Sequence, residues 1–525
     1  VSGYGVSRWA NNSNLIATGL LTYEKAFSGH NITATAGVEY QKSRTDATQV
    51  EAQGFPVEDL KKLASAATVT VGTSNLTWYS FLSYFARANY NYDRKYLLSV
   101  SARYDGSSRF GENNQFGFFP AISLGWVLSE EGFLKDNNLV SFLKLRASYG
   151  LTGNAEINNF ASLGLFGAEA YGQQSGLAPT QIPNPDLGWE NTAQIDAGID
   201  FGFFNDRITG EIDYYRKLTT DLLLDVPVPA TSGFSIQTQN IGSVENKGFE
   251  FVLNTNNFVG DFRWTTSFNA AINRNKVLSL NEGQDLIPSG SSRYMNVVKV
   301  GEPLGVFYGA EYAGVDPQTG DAIWYVNEQD AEGNIIDEAA TTNDFNEANF
   351  IVVGDPNPDF IGGLTNSFSF KGVELSFMLQ GVYGNQVHDA AGGFMSCNAC
   401  WFDNQTLDQM NYWDQPGDVT LVPEPRLGYS NGDQSVSSRY VYDASYTRLK
   451  NVTLGYTFPK DLVAKLRLTN VRVFATAQNY FTFTDYPGWD PEVSTDFLVN
   501  NVRFGVDFYA APQPKTLVFG VNLGF

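Results

Sequence analysis

Histidine and cysteine are almost missing: the 525 residues hold two of each, His30 and His388, Cys397 and Cys400. So few imidazoles and thiols cannot furnish several metal-ligand clusters. No Ser/His/Asp set and no G-x-S-x-G elbow stands out, so the chain has no catalytic residues to offer and reads as a non-enzyme. Basic residues are outnumbered, 34 against 56 acidic ones, for a formal charge of −22. That excess disfavours nucleic acid as a partner, because phosphate binding wants a basic surface. No apolar run reaches the roughly 18 residues that a membrane helix needs. A starting Met and a signal-like leader are absent, and Val1-Ser2-Gly3-Tyr4 reads as mid-sequence, the pattern of a piece of a longer chain.

Aromatic residues and glycine are abundant instead: 39 Phe, 27 Tyr and 50 Gly, with only 17% charged residues. The end of the chain shows why this matters. From Thr516, the residues Leu517, Phe519, Val521, Leu523 and Phe525 alternate with Gly520, Asn522 and Gly524, a period of two with one greasy and one small or polar face. Similar segments are expected at 14–25, 31–43, 77–92, 95–107, 114–128, 141–151, 193–204, 207–219, 247–258, 261–275, 361–370, 373–386, 445–458, 470–482 and 515–525. Most exceed the ~5–6 residues usual in soluble sheets and match the ~9–11 of a tilted membrane strand. An all-β transmembrane antiparallel barrel satisfies this pattern, and alternation alone leaves a large soluble all-β protein open.

The gaps between segments favour the barrel. Short ones (26–30, 93–94, 129–140, 205–206, 259–260, 371–372, 459–469) alternate with long ones (44–76, 108–113, 152–192, 220–246, 276–360, 387–444, 483–514). Short periplasmic turns and long extracellular loops are what an outer-membrane barrel requires. With the last strand descending, the first also descends, so an odd number of strands is expected upstream; a free edge in lipid would leave backbone groups unpaired. Residues 278–360 hold 15 acids and 2 bases, and residues 388–443 hold 8 acids and 2 bases, so these two loops carry −13 and −6 of the charge. They form a solvated acidic surface or a vestibule that prefers neutral or cationic ligands.

Several words in the chain are distinctive. They include Asn91-Tyr92-Asp93-Arg94-Lys95-Tyr96, Arg103-Tyr104-Asp105-Gly106-Ser107-Ser108-Arg109-Phe110-Gly111 and Asn184-Pro185-Asp186-Leu187-Gly188-Trp189-Glu190. Asn240-Ile241-Gly242-Ser243-Val244-Glu245-Asn246-Lys247-Gly248, Gly354-Asp355-Pro356-Asn357-Pro358-Asp359-Phe360 and Asp443-Ala444-Ser445-Tyr446-Thr447-Arg448-Leu449-Lys450-Asn451 follow in the same order. With these words the chain resembles the C-terminal part of the barrel of SusC-like TonB-dependent transporters. The resemblance implies a barrel of about 22 strands, of which fifteen lie here, and places the N-terminal plug domain and the first strands outside residues 1–525. It implies an importer of oligosaccharides or peptides in the outer membrane of a Gram-negative bacterium. Its partners would be a SusD-like surface lipoprotein, the TonB complex (reached through the N-terminal part) and outer-membrane lipid. A barrel serving as scaffold or anchor of a larger cell-surface assembly is the alternative. The resemblance also makes the last strand, with Phe519, Leu523 and Phe525, a barrel-assembly signal.

Site residues are sparse. Trp401-Phe402-Asp403, Tyr412-Trp413-Asp414 and Trp489-Asp490 put aromatic faces beside carboxylates in the outer loops, which suits sugar-ring stacking and equally suits loop packing. Trp401, Trp413 and Trp489 are therefore the candidate substrate contacts. Cys397-Asn398-Ala399-Cys400 is a single C-x-x-C, too little for a four-ligand zinc site, and reads as a local disulfide or two thiols. Asp105-Gly106-Ser107-Ser108-Arg109 reads as a turn holding a charge pair. Asp316-Pro317-Gln318-Thr319-Gly320-Asp321 reads as a β-turn, since it lacks the ligand series of a calcium loop. No cofactor is expected.

Overall fold

Fifteen long strands pair in chain order into one sheet. They are β1 Tyr4–Phe27, β2 His30–Gln53, β3 Thr68–Tyr92, β4 Tyr96–Ser107, β5 Phe116–Val127, β6 Val140–Asn154, β7 Glu190–Phe203, β8 Ile208–Thr220, β9 Ser243–Val259, β10 Phe262–Ser279, β11 Phe360–Phe370, β12 Val373–Tyr383, β13 Tyr446–Thr457, β14 Asn470–Thr484 and β15 Thr516–Gly524. Each expected segment coincides with one of them. The computed structural model describes residues 3–135, 137–172, 174–281, 285–288, 294–326, 328–330, 335–337, 340–397, 404–427, 431–432, 436–494 and 502–525.

The greasy faces of these strands are not covered. Leu20, Leu21, Phe118, Leu124, Phe249, Phe519 and Val521 are all exposed. A soluble sheet would bury such a face against a second layer, whereas a sheet solvated by lipid leaves it bare. The buried apolar clusters lie among the connections instead: Val387, Ala444, Tyr486, Val493 and Ala510 form one, and Phe110, Ala161 and Leu187 another.

Turn chemistry explains the tight hairpins. Asp93 and Arg94 have φ of 48° and 59°, and Lys371 and Gly372 have 46° and 88°. Two successive left-handed residues make the turn whose twist matches the flanking strands. Lys95 N–H closes the first turn on Tyr92 O at 2.9 Å.

Two expectations change. The first three strands run well past 14–25, 31–43 and 77–92. Their ladder continues from Phe27↔His30 out to Tyr4↔Gln53 through polar positions such as Asn11↔Asp46 and Ser13↔Arg44. Backbone pairing sustains a strand there without a greasy face, so hydrophobic alternation underestimates its length. Gap length also fails to report the side of the sheet. The turn-side connections 128–139 and 458–469 carry short helical segments, Leu128–Glu130 and Lys460–Ala464, while the loop-side connection 108–115 is brief. Sequential antiparallel pairing, not length, sends alternate connections to opposite ends.

The contacts divide the chain into two units. One comprises Val1–Gly132, Lys144–Ala197 and Lys217–Ser243, the other Phe133–Leu143, Gly198–Arg216 and Val244–Phe525. In the first, the connections carry two small hairpins, Leu165–Tyr171 with Gln174–Gln181 and Leu223–Pro227 with Ile236–Asn240. In the second, the acidic loop after β10 is not structureless. It folds a four-stranded sheet from Leu286–Pro288, Asn296–Lys299, Val306–Ala310 and Phe350–Gly354, and a three-stranded one from Tyr312–Val315, Ala322–Tyr325 and Thr341–Thr342.

Candidate functional site

The second unit gathers its polar chemistry where the connections 384–445 and 485–515 meet the ends of β13 and β14. Arg448, on β13, is only 2% exposed. Its Nη2 binds Asp490 Oδ1 in a short ion pair, its Nη1 donates to Glu492 Oε2 at 2.7 Å, and its Nε donates to Thr482 Oγ1 at 3.0 Å. Lys450 holds the same Glu492 at 2.7 Å. Asp490 also accepts from Gln513 N–H and Glu492 N–H, each at 2.9 Å. Burial works to raise the Asp490 carboxyl, but these donors outweigh it and hold it below the usual carboxylate range. A desolvated guanidinium satisfied by two carboxylates pins the loop after β14 onto the sheet.

Beside this lock, Gln386–Asp389 pairs antiparallel with Val441–Asp443 and parallel with Val506–Asp507. The parallel register sets Asp389 next to Asp507. Tyr486 donates to Asp507 Oδ2 at 2.8 Å, while Ala391 and Gly392 N–H donate to Asp389 Oδ1 at 3.0 and 3.1 Å. Burial, then the facing Asp507 charge, push the Asp389 carboxyl up to about 6 despite those two donors. Burial with the Asp507 charge and hydrogen bond pushes the Tyr486 phenol far above its ordinary value.

The three candidate tryptophans part company. Trp413 is 6% exposed, donates its indole N–H to Pro317 O at 3.1 Å and packs flat on the turn at Gly320, where a Cβ would meet its ring at 2.5 Å. Trp489 is 77% exposed. Trp401 lies outside the described residues, as does Cys400; Cys397 is disulfide-bonded and Cys400 is the only other cysteine in the chain. Asp316–Asp321 is a hydrogen-bonded turn, with Gly320 N–H on Asp316 O at 2.9 Å. Asp321 is engaged by Arg426 at 2.7 Å and Asn343 at 3.0 Å. Phe519, Leu523 and Phe525 are all exposed at the end of the last strand.

The first unit has its own lock, which sequence reasoning assigned to the wrong pair. Asp105 pairs with Arg103 at 3.0 Å, not with Arg109. Arg109 lies over the Tyr79 ring at 4.1 Å and donates to Asn159 Oδ1 and Ala155 O at 3.0 and 2.9 Å. Period two would have shown this, since residues two apart on a strand share a face and residues four apart across a turn do not. Next to it, Gly111 N–H donates to Leu187 O at 2.9 Å, and Phe110 and Phe119 pack on Trp189 with centroids 4.9 and 5.2 Å away. Gly188 and Asn240 exchange two hydrogen bonds of 2.7 and 2.9 Å. Three of the distinctive words thus meet in one structural knot.

Geometry of this kind, with polar locks at strand ends and a bare greasy sheet, agrees with the family described as TonB dependent receptor-like, beta-barrel, whose pattern matches residues 2–480. The chain belongs to that family. It is similar to TonB-dependent receptor P3 of Formosa agariphila, 35% identical over 544 residues, covering 100% of this chain and 54% of that protein. TonB-dependent receptor SusC of Bacteroides thetaiotaomicron is 34% identical over 474 residues, covering 86% of this chain and 44% of SusC. Among solved structures, the RagAB peptide transporter matches with a TM-score of 0.88 at 30% identity, over 100% of this chain and 57% of that one. The chain thus spans about half the length of the curated relatives it matches. TonB-dependent receptors are outer-membrane transporters, not enzymes. Among the described residues no helix is long and apolar enough to cross a membrane.

The acid pair, with Asp507 buried and Asp389 half-buried, makes these loops sensitive to pH. Asp389 has a folded pKa of about 6, above the ~3.9 of an unfolded aspartate, so the folded loops bind its proton more tightly. That stabilisation is complete below about pH 4 and is lost as the pH rises through about 6, up to about 3 kcal/mol in all. Protection of the amides in residues 386–390 and 505–510, taken as their exchange relative to the intrinsic rate at each pH, should therefore be greater at pH 5 than at pH 7.5. Asp389→Asn keeps an acceptor for Ala391 and Gly392, so it should flatten the profile and slow exchange at pH 7.5. A wild-type profile already flat between those values rules this out.

Proposed function

We propose that this chain forms the C-terminal part of the barrel of a SusC-type importer, which takes up oligosaccharides or peptides with a SusD-like surface lipoprotein and energy from TonB. The match to the RagAB peptide transporter along the whole chain is the observation that carries this reading. β1 and β15 each pair on one side only among the described residues. An open sheet edge in lipid leaves its N–H and C=O groups unpaired, at several kcal/mol per group, so in this reading other strands of the receptor pair with both edges. The connection after β12 presents Leu407, Met410, Val419, Leu421 and Leu427 exposed, an apolar rim suited to a lipoprotein lid. Purification of the full receptor from its native membrane, with uptake measured before and after loss of TonB, tests the reading. A co-purifying lipoprotein and TonB-dependent uptake support it; several surface proteins with no uptake would favour a scaffold instead.

Within the substrate chamber, Trp489 offers an open ring, while Trp413 is occupied by the turn at Gly320. By analogy with base stacking on aromatics, a stacking face is worth ~1–3 kcal/mol, so Trp489→Ala should weaken ligand binding about tenfold. Calorimetry that shows full affinity with lowered thermal stability would make Trp489 structural.

The exposed Phe519, Leu523 and Phe525 serve as the assembly signal of the last strand. Phe525→Asp should sharply lower the amount of heat-resistant folded receptor in the outer membrane; unchanged amounts would refute the signal.

A further inference from the structure

On the polar face of the second unit, near the hairpin turns 260–261 and 371–372, five strands frame a cavity of about 260 Å³. Arg263 and Thr265 of β10 stand opposite Ser369 and Ser367 of β11. Ser369 in turn faces Glu374 of β12, and Glu374 faces Gly455 of β13. Because Gly455 has no side chain, Arg472 of β14 lies across it, 3.0 Å from where a Cβ would be, and reaches Glu374 at 3.0 Å. Its guanidinium also sits over the Phe474 ring at 5.0 Å. Ser367 and Ser376 bind each other at 3.0 Å, as do Thr453 and Thr476 at 2.8 Å. Among the described residues, Arg263, Thr265 and Ser369 have no hydrogen-bond or ion-pair partner for their side chains.

We propose that this cavity binds a carboxylate group. Two guanidiniums against one carboxylate leave a single positive charge, and the uncommitted one is Arg263. A planar monoanion with two oxygens matches a guanidinium fork. The unpartnered hydroxyls of Ser369, on the Arg263 rung, and of Thr265, two residues along β10 from Arg263, supply further donors. A dianion such as phosphate would bring more charge than the pocket neutralises and would face Glu374. The carboxylate comes either from a small ligand or from an acidic side chain of the receptor outside residues 1–525. This inference stands apart from the importer reading, since it needs no uptake.

The test uses the full receptor in detergent, with heat-resistance as the check of folding. Arg263 is exposed and unpaired, so its replacement leaves the fold intact. Calorimetry with N-acetylglycine, its neutral amide and inorganic phosphate reads the site. N-acetylglycine should bind, about tenfold more weakly to Arg263→Gln, with Arg263→Lys intermediate, and with the amide and phosphate weaker throughout. If the receptor's own acidic residue fills the pocket, the wild type is silent to N-acetylglycine. Arg263→Gln then speeds amide exchange in a segment outside residues 1–525, which also supports the carboxylate. Equal binding of the amide or phosphate overturns the proposal, and so does the absence of both binding and any change in exchange.

Discussion

Asp490→Ala should cost about 3–5 kcal/mol in the packing of the connection after β14, because it strands a buried guanidinium. Arg448 is 2% exposed, so water cannot replace the lost partner. Glu492 remains at 2.7 Å but already serves Lys450 at the same distance, so it cannot take over both roles. The loss also frees Gln513 N–H and Glu492 N–H, which Asp490 accepts. Arg448→Met removes the charge and should cost less, because Asp490 keeps those two backbone donors. The pair Arg448→Met with Asp490→Leu should recover much of the loss, as apolar replacement of a buried ion pair often does. A double-mutant cycle read by amide exchange in residues 485–494 and 502–515 decides it. If Asp490→Ala changes that exchange by less than a factor of about 5, roughly 1 kcal/mol, the lock does not hold the loop.

The wall strands were legible because membrane strands declare themselves twice. Their faces alternate, as in Leu517, Phe519, Val521 and Leu523, and their turns carry residues that tolerate left-handed backbone, as at Lys371-Gly372. Where either signal stops, sequence reading stops too. The outer halves of β1 and β2 pair through Asn12↔Thr45 and Ser7↔Val50, positions with no greasy stripe, so alternation does not reveal them. The small sheets after β10 consist of strands as short as Thr341–Thr342, too brief for periodicity to register.

The candidate site was less legible, for a different reason. Its partners are far apart in the chain: Arg448 and Asp490, Asp389 and Asp507, Gly188 and Asn240. No spacing rule joins residues that only sheet register brings together. Some partners stand in marked settings, since Arg448 and Lys450 lie two apart on one strand and Asp490 follows Trp489 in a loop, but Asp389 and Asp507 carry no such signal. Sequence alone could not say which carboxylate met which cation, and Asp105 with Arg109 was the pairing it got wrong.

Gly111→Ala should be the most damaging single methyl in the first unit. A Cβ at Gly111 would sit 1.9 Å from Pro185 O and 2.3 Å from Pro185 C, both backbone atoms that cannot rotate away. The two segments must separate, and with them go Gly111 N–H on Leu187 O at 2.9 Å and Asn113 N–H on Pro185 O at 3.3 Å. Leu187, fully buried against Phe110 and Ala161, then loses its packing. Overpacking with a broken buried hydrogen bond costs about 3 kcal/mol, or an exchange rate on the order of 100-fold faster at these amides. Gly132→Ala is the matched control, because a Cβ there meets nothing within 4 Å. Amide exchange of residues 109–114 and 184–189 in the full receptor should separate the two variants. Were Gly111→Ala and Gly132→Ala to exchange alike, the close approach of these two connections would not be what holds the knot.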